Sequence, residues 1–150
     1  MCTGVDINPQ AIALANKNKK AIGATNVTFI QSDMFDGLPP HSTFDLIVSN
    51  PPYVTAAEYA QLEKDVTAWE DYASLVAPDD GLSFYKHIAH QAGAYLSKQR
   101  IVPTFNAPRI VVEIGSKQEI VVSLFKHANY AEVRLHRDMH GNSRWIAVHI

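Results

Sequence analysis

Short apolar runs alternate along the chain with stretches in which apolar residues recur every three or four positions. That pattern predicts buried strands separated by helices, and hence a parallel α/β sheet. "CTGVDI" reads as a first strand closed by Asp6, and "NVTFIQSD" as a second closed by Asp33. Between them "QAIALANKNKKAIGA" reads as a helix. Asn8 suits its cap, Pro9 its first turn and Gly23 its stop, with Lys17, Lys19 and Lys20 near the negative end of the dipole. "TFDLIVSN" is a third strand, whose unbroken apolar run predicts burial on both faces.

Residues 56–66 predict helical stretches. "DDGLSFYKHIAHQAGAYL" is the clearest helix, with Leu82, Tyr85, Ile88, Ala89, Ala92 and Leu96 on one face. "KQRIVPTFNAP" is a connector and "RIVVEIG" a fourth buried strand. A capping box from Ser116 to Glu119 opens a helix whose apolar face is Ile120, Val121, Leu124 and Phe125. "AEVRLHR" and "SRWIAVHI" alternate as a hairpin about a turn at 138–142, and Trp145 is expected to pack on the sheet.

Composition narrows this picture. At 150 residues the chain fits one domain, read as 1–150. A net charge of −2 gives no general attraction to nucleic acid. The single cysteine, Cys2, excludes an internal disulfide framework. It reads as a small buried apolar residue, with a reducing cytoplasm as the default location. No apolar run reaches membrane-spanning length, and the start lacks the pattern of a signal peptide. His87 and His90, three apart on the long helix, read as surface histidines because no matching ligand set accompanies them.

The candidate chemistry lies where strands end, because ligands of open α/β sheets sit beyond the carboxyl ends. Asp6, Asp33, Asn50 and Glu113 close the four strands. A carboxylate there can accept both protons of a ribose diol, and Asp6 is free for that role because Asn8 supplies the cap. "NPPY" directly follows the third strand. Pro51 and Pro52 lack N–H groups and have fixed φ, and Pro51 keeps Asn50 extended. The corner is therefore stiff and leaves carbonyl oxygens without local partners. With the Asn50 side chain it forms a cradle for an amide or an exocyclic amine, on which Tyr53 can stack. Trp69, Glu70 and Tyr72 follow it, either lining an acceptor channel or buried against the helices.

Asn50-Pro51-Pro52-Tyr53 matches the signature of amino-methylating S-adenosylmethionine-dependent methyltransferases. From Gly4 onward the chain resembles the release-factor glutamine methyltransferase (HemK/PrmC) family. "EYAQLEKDV", "DGLSFYKHI", "EIGSKQ" and "RDMHGNSRWIAV" carry the resemblance, with a departure at Glu70-Asp71, where the family usually has Glu-Pro. The resemblance implies a Rossmann-like class I methyltransferase sheet. It also implies methyl transfer from S-adenosylmethionine to the glutamine amide of the Gly-Gly-Gln loop of peptide chain release factors. Asn50, Pro51, Pro52 and Tyr53 would form the catalytic cradle. Asp6 would hold the cofactor ribose, Asp33 the adenine amine and Ile7 an adenine face, with Met34 and Asn50 also contacting the cofactor.

The family's first strand and glycine-rich turn have no counterpart, since no Gly-x-Gly occurs here. The chain is expected to be the C-terminal part of a longer enzyme, weakly active or inactive alone. Without that central strand its two neighbours should either pair directly or be covered by a second copy. Two other readings stand beside this one: an adenine-specific DNA or RNA amino-methyltransferase, and a silent self-associating fragment.

Overall fold

A computed structural model describes residues 1–98, 107–115 and 119–150. It divides into two compact units, Met1–Ser42 and Thr43–Ile150. The connector at 99–106 and Ser116 of the expected capping box lie outside the described residues.

The first unit is a β-α-β element. Strand β1 (Cys2–Asp6) pairs in parallel with β2 (Val27–Gln31), with Cys2 opposite Val27 and Asp6 opposite Gln31. Helix α1 (Pro9–Ala21) joins them. Asn8 Oδ1 accepts the Gln10 N–H at 2.8 Å, so one of the free donors at the helix start is met as expected. At the other end Gly23 takes φ 68° and the Ala24 N–H reaches back to Lys19 O, which ends the helix in a left-handed turn. Helix α1 buries none of its residues. Cys2 is exposed, correcting the expectation of a buried thiol: among the described residues β1 pairs with β2 alone.

The second unit is a mixed four-stranded sheet in the order β3–β4–β6–β5. Strand β3 (Ile47–Ser49) runs parallel to β4 (Ile110–Glu113), and the hairpin β5 (Glu132–Arg137) and β6 (Ser143–His149) is antiparallel. The α/β class and the terminal hairpin are as expected. Between β3 and β4 lie short helices α2 (Ala56–Tyr59), α3 (Lys64–Trp69) and α4 (Tyr72–Leu75). A single turn α5 (Pro78–Gly81) and α6 (Ser83–Gln91) follow, then a 3-10 turn over Ala92–Tyr95. Helix α7 (Ile120–His127) precedes the hairpin. Tyr85 and Ile88 of α6 and Val121 and Phe125 of α7 are buried, as are Ile110, Val112, Ile146 and Val148 of the sheet.

Three expectations are corrected. The long helix begins at Ser83, because Asp79 and Asp80 are left-handed (φ 58° and 52°) and reverse the chain before it. Ile120 is exposed, leaving Val121 and Phe125 to carry the buried face of α7. Strand β3 is not buried on both faces: Leu46 is 50% and Val48 68% exposed. The reason is its position, since β3 pairs with β4 alone among the described residues.

Arg109 fixes the start of β3. It is buried, and its guanidinium donates to Asp45 O at 2.7 Å, Ser97 O at 2.8 Å and Phe44 O at 3.5 Å. One charged group thus satisfies three backbone carbonyls of segments remote in sequence. Trp145 lies on the sheet as expected, stacked on His136 with centroids 3.7 Å apart and planes 3° from parallel.

Candidate functional site

The chemistry-bearing residues are distributed over both units, and each group has its own scaffold. In the first unit Asp6 closes β1. Its Oδ1 accepts the Asn8 N–H at 2.8 Å, which orients the carboxylate at the strand end. Ile7 is 60% exposed, and Gln31 Nε2 donates to its carbonyl at 3.3 Å. Asp33 is exposed, and no described residue donates to its carboxylate. Met34, next to it, is left-handed at φ 48°, an uncommon conformation for a residue with a Cβ.

A residue not anticipated from the pattern holds this loop. Ser32 is buried, its hydroxyl donates to Met34 O at 2.8 Å, and it accepts the Gly37 N–H at 2.8 Å. A Cβ on Gly37 would come within 2.9 Å of Gln31 O and 3.0 Å of the Ser32 side chain. The turn after β2 is closed too tightly for a side chain there. A serine before an acid carries no periodic signal, so only the fold exposes its role.

In the second unit Asn50-Pro51-Pro52-Tyr53 leaves the carboxyl end of β3. Pro51 is buried while Asn50 is exposed. Among the described residues nothing donates to the Asn50 carbonyl, the Asn50 side chain or the Pro51 carbonyl. The oxygens that the two prolines cannot satisfy locally are therefore unclaimed. The chain is pinned immediately afterwards. The N–H groups of Tyr53 and Val54 both donate to Leu75 O, at 3.2 and 2.9 Å, and the Ala77 N–H returns to Val54 O at 2.9 Å. Glu113 closes β4, and its carbonyl accepts the Tyr85 hydroxyl at 3.1 Å. Burial pushes the Tyr85 hydroxyl well above its ordinary pKa, and the nearby Tyr53 adds to the shift. Tyr85 stays neutral and ties α6 to the end of β4.

Residues 55–76 form a flap whose neck is those Leu75 and Val54 contacts. Thr55 and Glu58 make a reciprocal capping box at α2. Asp71, where the resembling family has proline, caps α4 by accepting the Ala73 N–H at 3.1 Å. Trp69 is 87% and Tyr72 51% exposed, and Glu70 is exposed. Of the two expectations for these residues, burial against the helices is excluded.

The family model described as "Methyltransferase domain" matches residues 1–99. The chain belongs to this methyltransferase-domain family. A release factor glutamine methyltransferase of Fusobacterium nucleatum is 39% identical over 145 residues, covering 96% of this chain and 39% of the relative. The protein of the same name from Lactococcus lactis is 34% identical and covers 95% of this chain and 50% of the relative. A ribosomal protein uL3 glutamine methyltransferase of Xanthomonas campestris is 35% identical, covering 87% and 39% respectively. The chain thus spans half or less of the length of these curated relatives. A solved release-factor-specific protein-(glutamine-N5) methyltransferase of Alicyclobacillus acidocaldarius aligns over 98% of this chain and 77% of its own, with 22% identity and a TM-score of 0.48.

Within this methyltransferase domain the first unit brings Asp6 and Ile7 together at the end of β1, and Asp33 and Met34 at the end of β2. In the second unit the Tyr53 and Val54 bonds to Leu75 O pin the chain after the proline corner, and the Tyr85 hydroxyl separately ties α6 to the end of β4. Sequence reasoning missed Ser32, Arg109 and Tyr85 as frame residues. The helical pattern puts Tyr85 on the apolar face, and its hydroxyl is the signal of a second task. Among the described residues no three His, Cys, Asp or Glu side chains gather as a metal site, and no helix is long and apolar enough to cross a membrane.

Proposed function

We propose that the protein containing this chain is a protein-glutamine N-methyltransferase that modifies the glutamine amide in the Gly-Gly-Gln motif of peptide chain release factors. The names of the relatives support the acceptor class. The observation that carries the reading is the unclaimed set of oxygens at Asn50 and Pro51, directly after β3.

S-adenosylmethionine, when bound, supplies an electrophilic methyl group. The donor set fits its adenosine end: the Asp33 carboxylate has no partner, and one Asp6 oxygen is uncommitted. Asp6 would hold the ribose hydroxyls, Asp33 the adenine amine and Ile7 a ring face, with Met34 as a further contact. Asn50 Oδ1 and the Pro51 carbonyl would accept both hydrogens of the acceptor NH₂. An amide nitrogen is a poor nucleophile because its lone pair is delocalised. The corner would hold it in line for attack and stabilise the positive charge that grows on it. Tyr53 would stack on the flat amide, and Pro52 would keep the corner stiff. We assign the reaction to the reducing cytoplasm, the default for a chain with a single cysteine. A second copy of the chain is the proposed cover for the β3 edge; a sedimentation coefficient that stays monomeric at all concentrations removes it.

Transfer of labelled methyl from S-adenosylmethionine tests the function. Label is expected in the glutamine amide of a release factor, and Asn50→Ala should lower the rate by about 10²–10³-fold. Label in ribosomal protein uL3 would keep the chemistry and change the acceptor. Label in adenine of DNA or RNA would overturn the reading. Calorimetry of this chain with S-adenosylmethionine separates an active domain from a silent one, and a flat titration would favour the silent fragment.

A further inference from the structure

The flap at 55–76 presents aromatic surface that the fold leaves bare. Trp69 is 87% exposed, although tryptophan is on average one of the most buried residue types. Tyr59 meets Tyr72 edge-on, with centroids 4.8 Å apart, and Tyr72 is itself half exposed. The Tyr59–Tyr72 pair is carried on segments that are pinned from both ends. The flap neck is clamped by the Tyr53 and Val54 bonds to Leu75 O, and Asp71 caps the helix that carries Tyr72. Rigid exposed aromatics are the usual anchors of protein interfaces.

The charge on the same flap selects the partner. Glu58, Glu63, Asp65, Glu70 and Asp71 are all exposed there, against Lys64 alone. The carboxylates of Glu63, Asp65 and Glu70 make no hydrogen bond or ion pair with a described residue. A nucleic acid approaching the adjoining proline corner would meet like charge, whereas a basic polypeptide would be drawn in.

We propose that this flap is a docking surface for the methyl acceptor, and that its occupant is a polypeptide carrying Lys and Arg beside the glutamine. The proposal rests on the reading of the chain as a protein-glutamine methyltransferase and adds which face of it grips the acceptor. Trp69 packs on the backbone of the bound segment. The free carboxylates pair with its basic flanks. The root of the flap is Tyr53 itself, so a segment docked there lies next to the amide cradle.

The test uses two synthetic Gly-Gly-Gln peptides, one flanked by Lys and Arg and one by Glu, with a single-stranded DNA oligonucleotide as third probe. Emission of the chain minus that of its Trp69→Phe variant isolates Trp69. The basic peptide should shift that emission and bind more weakly as salt rises. The Glu63→Lys, Glu70→Lys double variant, confirmed as folded by circular dichroism, should bind it about tenfold more weakly. Equal binding of both peptides, a silent Trp69, or a shift produced by the oligonucleotide instead would overturn the proposal. A basic peptide with glutamine replaced by alanine separates the two ideas. If it still moves Trp69 while no glutamine is ever methylated, the docking surface stands and the function falls. If methylation proceeds with Trp69 unmoved, the function stands and the docking surface falls.

Discussion

The two units reach order by different means. In Met1–Ser42 the helix α1 buries no residue, Leu14 is 57% exposed, and Ser32 and Phe35 are the buried residues. In Thr43–Ile150 two helices press fully buried side chains onto a four-stranded sheet. The first unit is specified by local hydrogen bonds: the Asn8 cap, the Gly23 turn and the Ser32 loop. The second is specified by packing, with Phe125, Ile146 and Val148 at zero exposure. Local rules can set a backbone, but the area removed from water sets how hard it is to open. Asp6 and Asp33 therefore stand on the softer scaffold and the proline corner on the firmer one.

Breaking the packed unit should give the largest effect. Phe125→Ala is expected to cost about 3–5 kcal/mol in urea unfolding, whereas Leu14→Ala in α1 should stay within about 0.5 kcal/mol. Equal costs would dissolve the distinction. Arg109→Met should lose about 1.5–3 kcal/mol, because it leaves the carbonyls of Phe44, Asp45 and Ser97 without their charged donor. A cost near zero would mean that water replaces it. Asn8→Ala should weaken α1 by about 1 kcal/mol. Hydrogen exchange should show the loss in α1 amides with β4 and β6 unchanged; faster exchange across both units would unite them.

Relieving strain should work in the opposite direction. Asp80 is left-handed at φ 52°, so Asp80→Gly is expected to stabilise by about 0.5–1 kcal/mol, read from the same urea midpoint. The smallest effect concerns acid. The Ser143 hydroxyl, 2.7 Å away, and then Arg137 hold the Glu119 carboxyl below its ordinary value. Burial pushes Asp138 up, but bonds from Arg144 and from the Asn142 and His140 N–H groups bring it below. Both folded pKa values are depressed. Their stabilisation is present above the ordinary carboxylate range and is lost as pH falls through the folded values. Protection of the β5–β6 hairpin should decline as pH falls through the ordinary carboxylate range and below it. Ser143→Ala should make that decline smaller and complete it at higher pH, and an unchanged profile would remove Glu119 from the account.

What the sequence revealed follows the same division. The Asn8 cap, the Gly23 stop and the hairpin turn are local, so a few neighbouring residues state them. The proline corner was equally legible, because ring closure acts within two residues. The edge position of β3 was not, since an apolar run looks the same with one neighbour or two. Exposure of Trp69 was invisible for the same reason: periodicity says which residues share a face, and not whether anything covers it. Arg109, Ser32 and the Tyr85 hydroxyl act on backbone atoms of other segments, which no pattern of side chains records.

The parallel pairing of Ile47 with Ile110 has a consequence for synthesis. At 5–20 residues per second, the roughly 60 residues between them take about 3–12 s to leave the ribosome. Strand β4 must then await β6, the last strand of the chain, before its second side is filled. The proline corner is thus attached to a strand that is among the last to find its neighbours. A nascent chain carries this corner unassembled for seconds, within reach of chaperones and proteases, long after the β-α-β element ahead of it has had time to form.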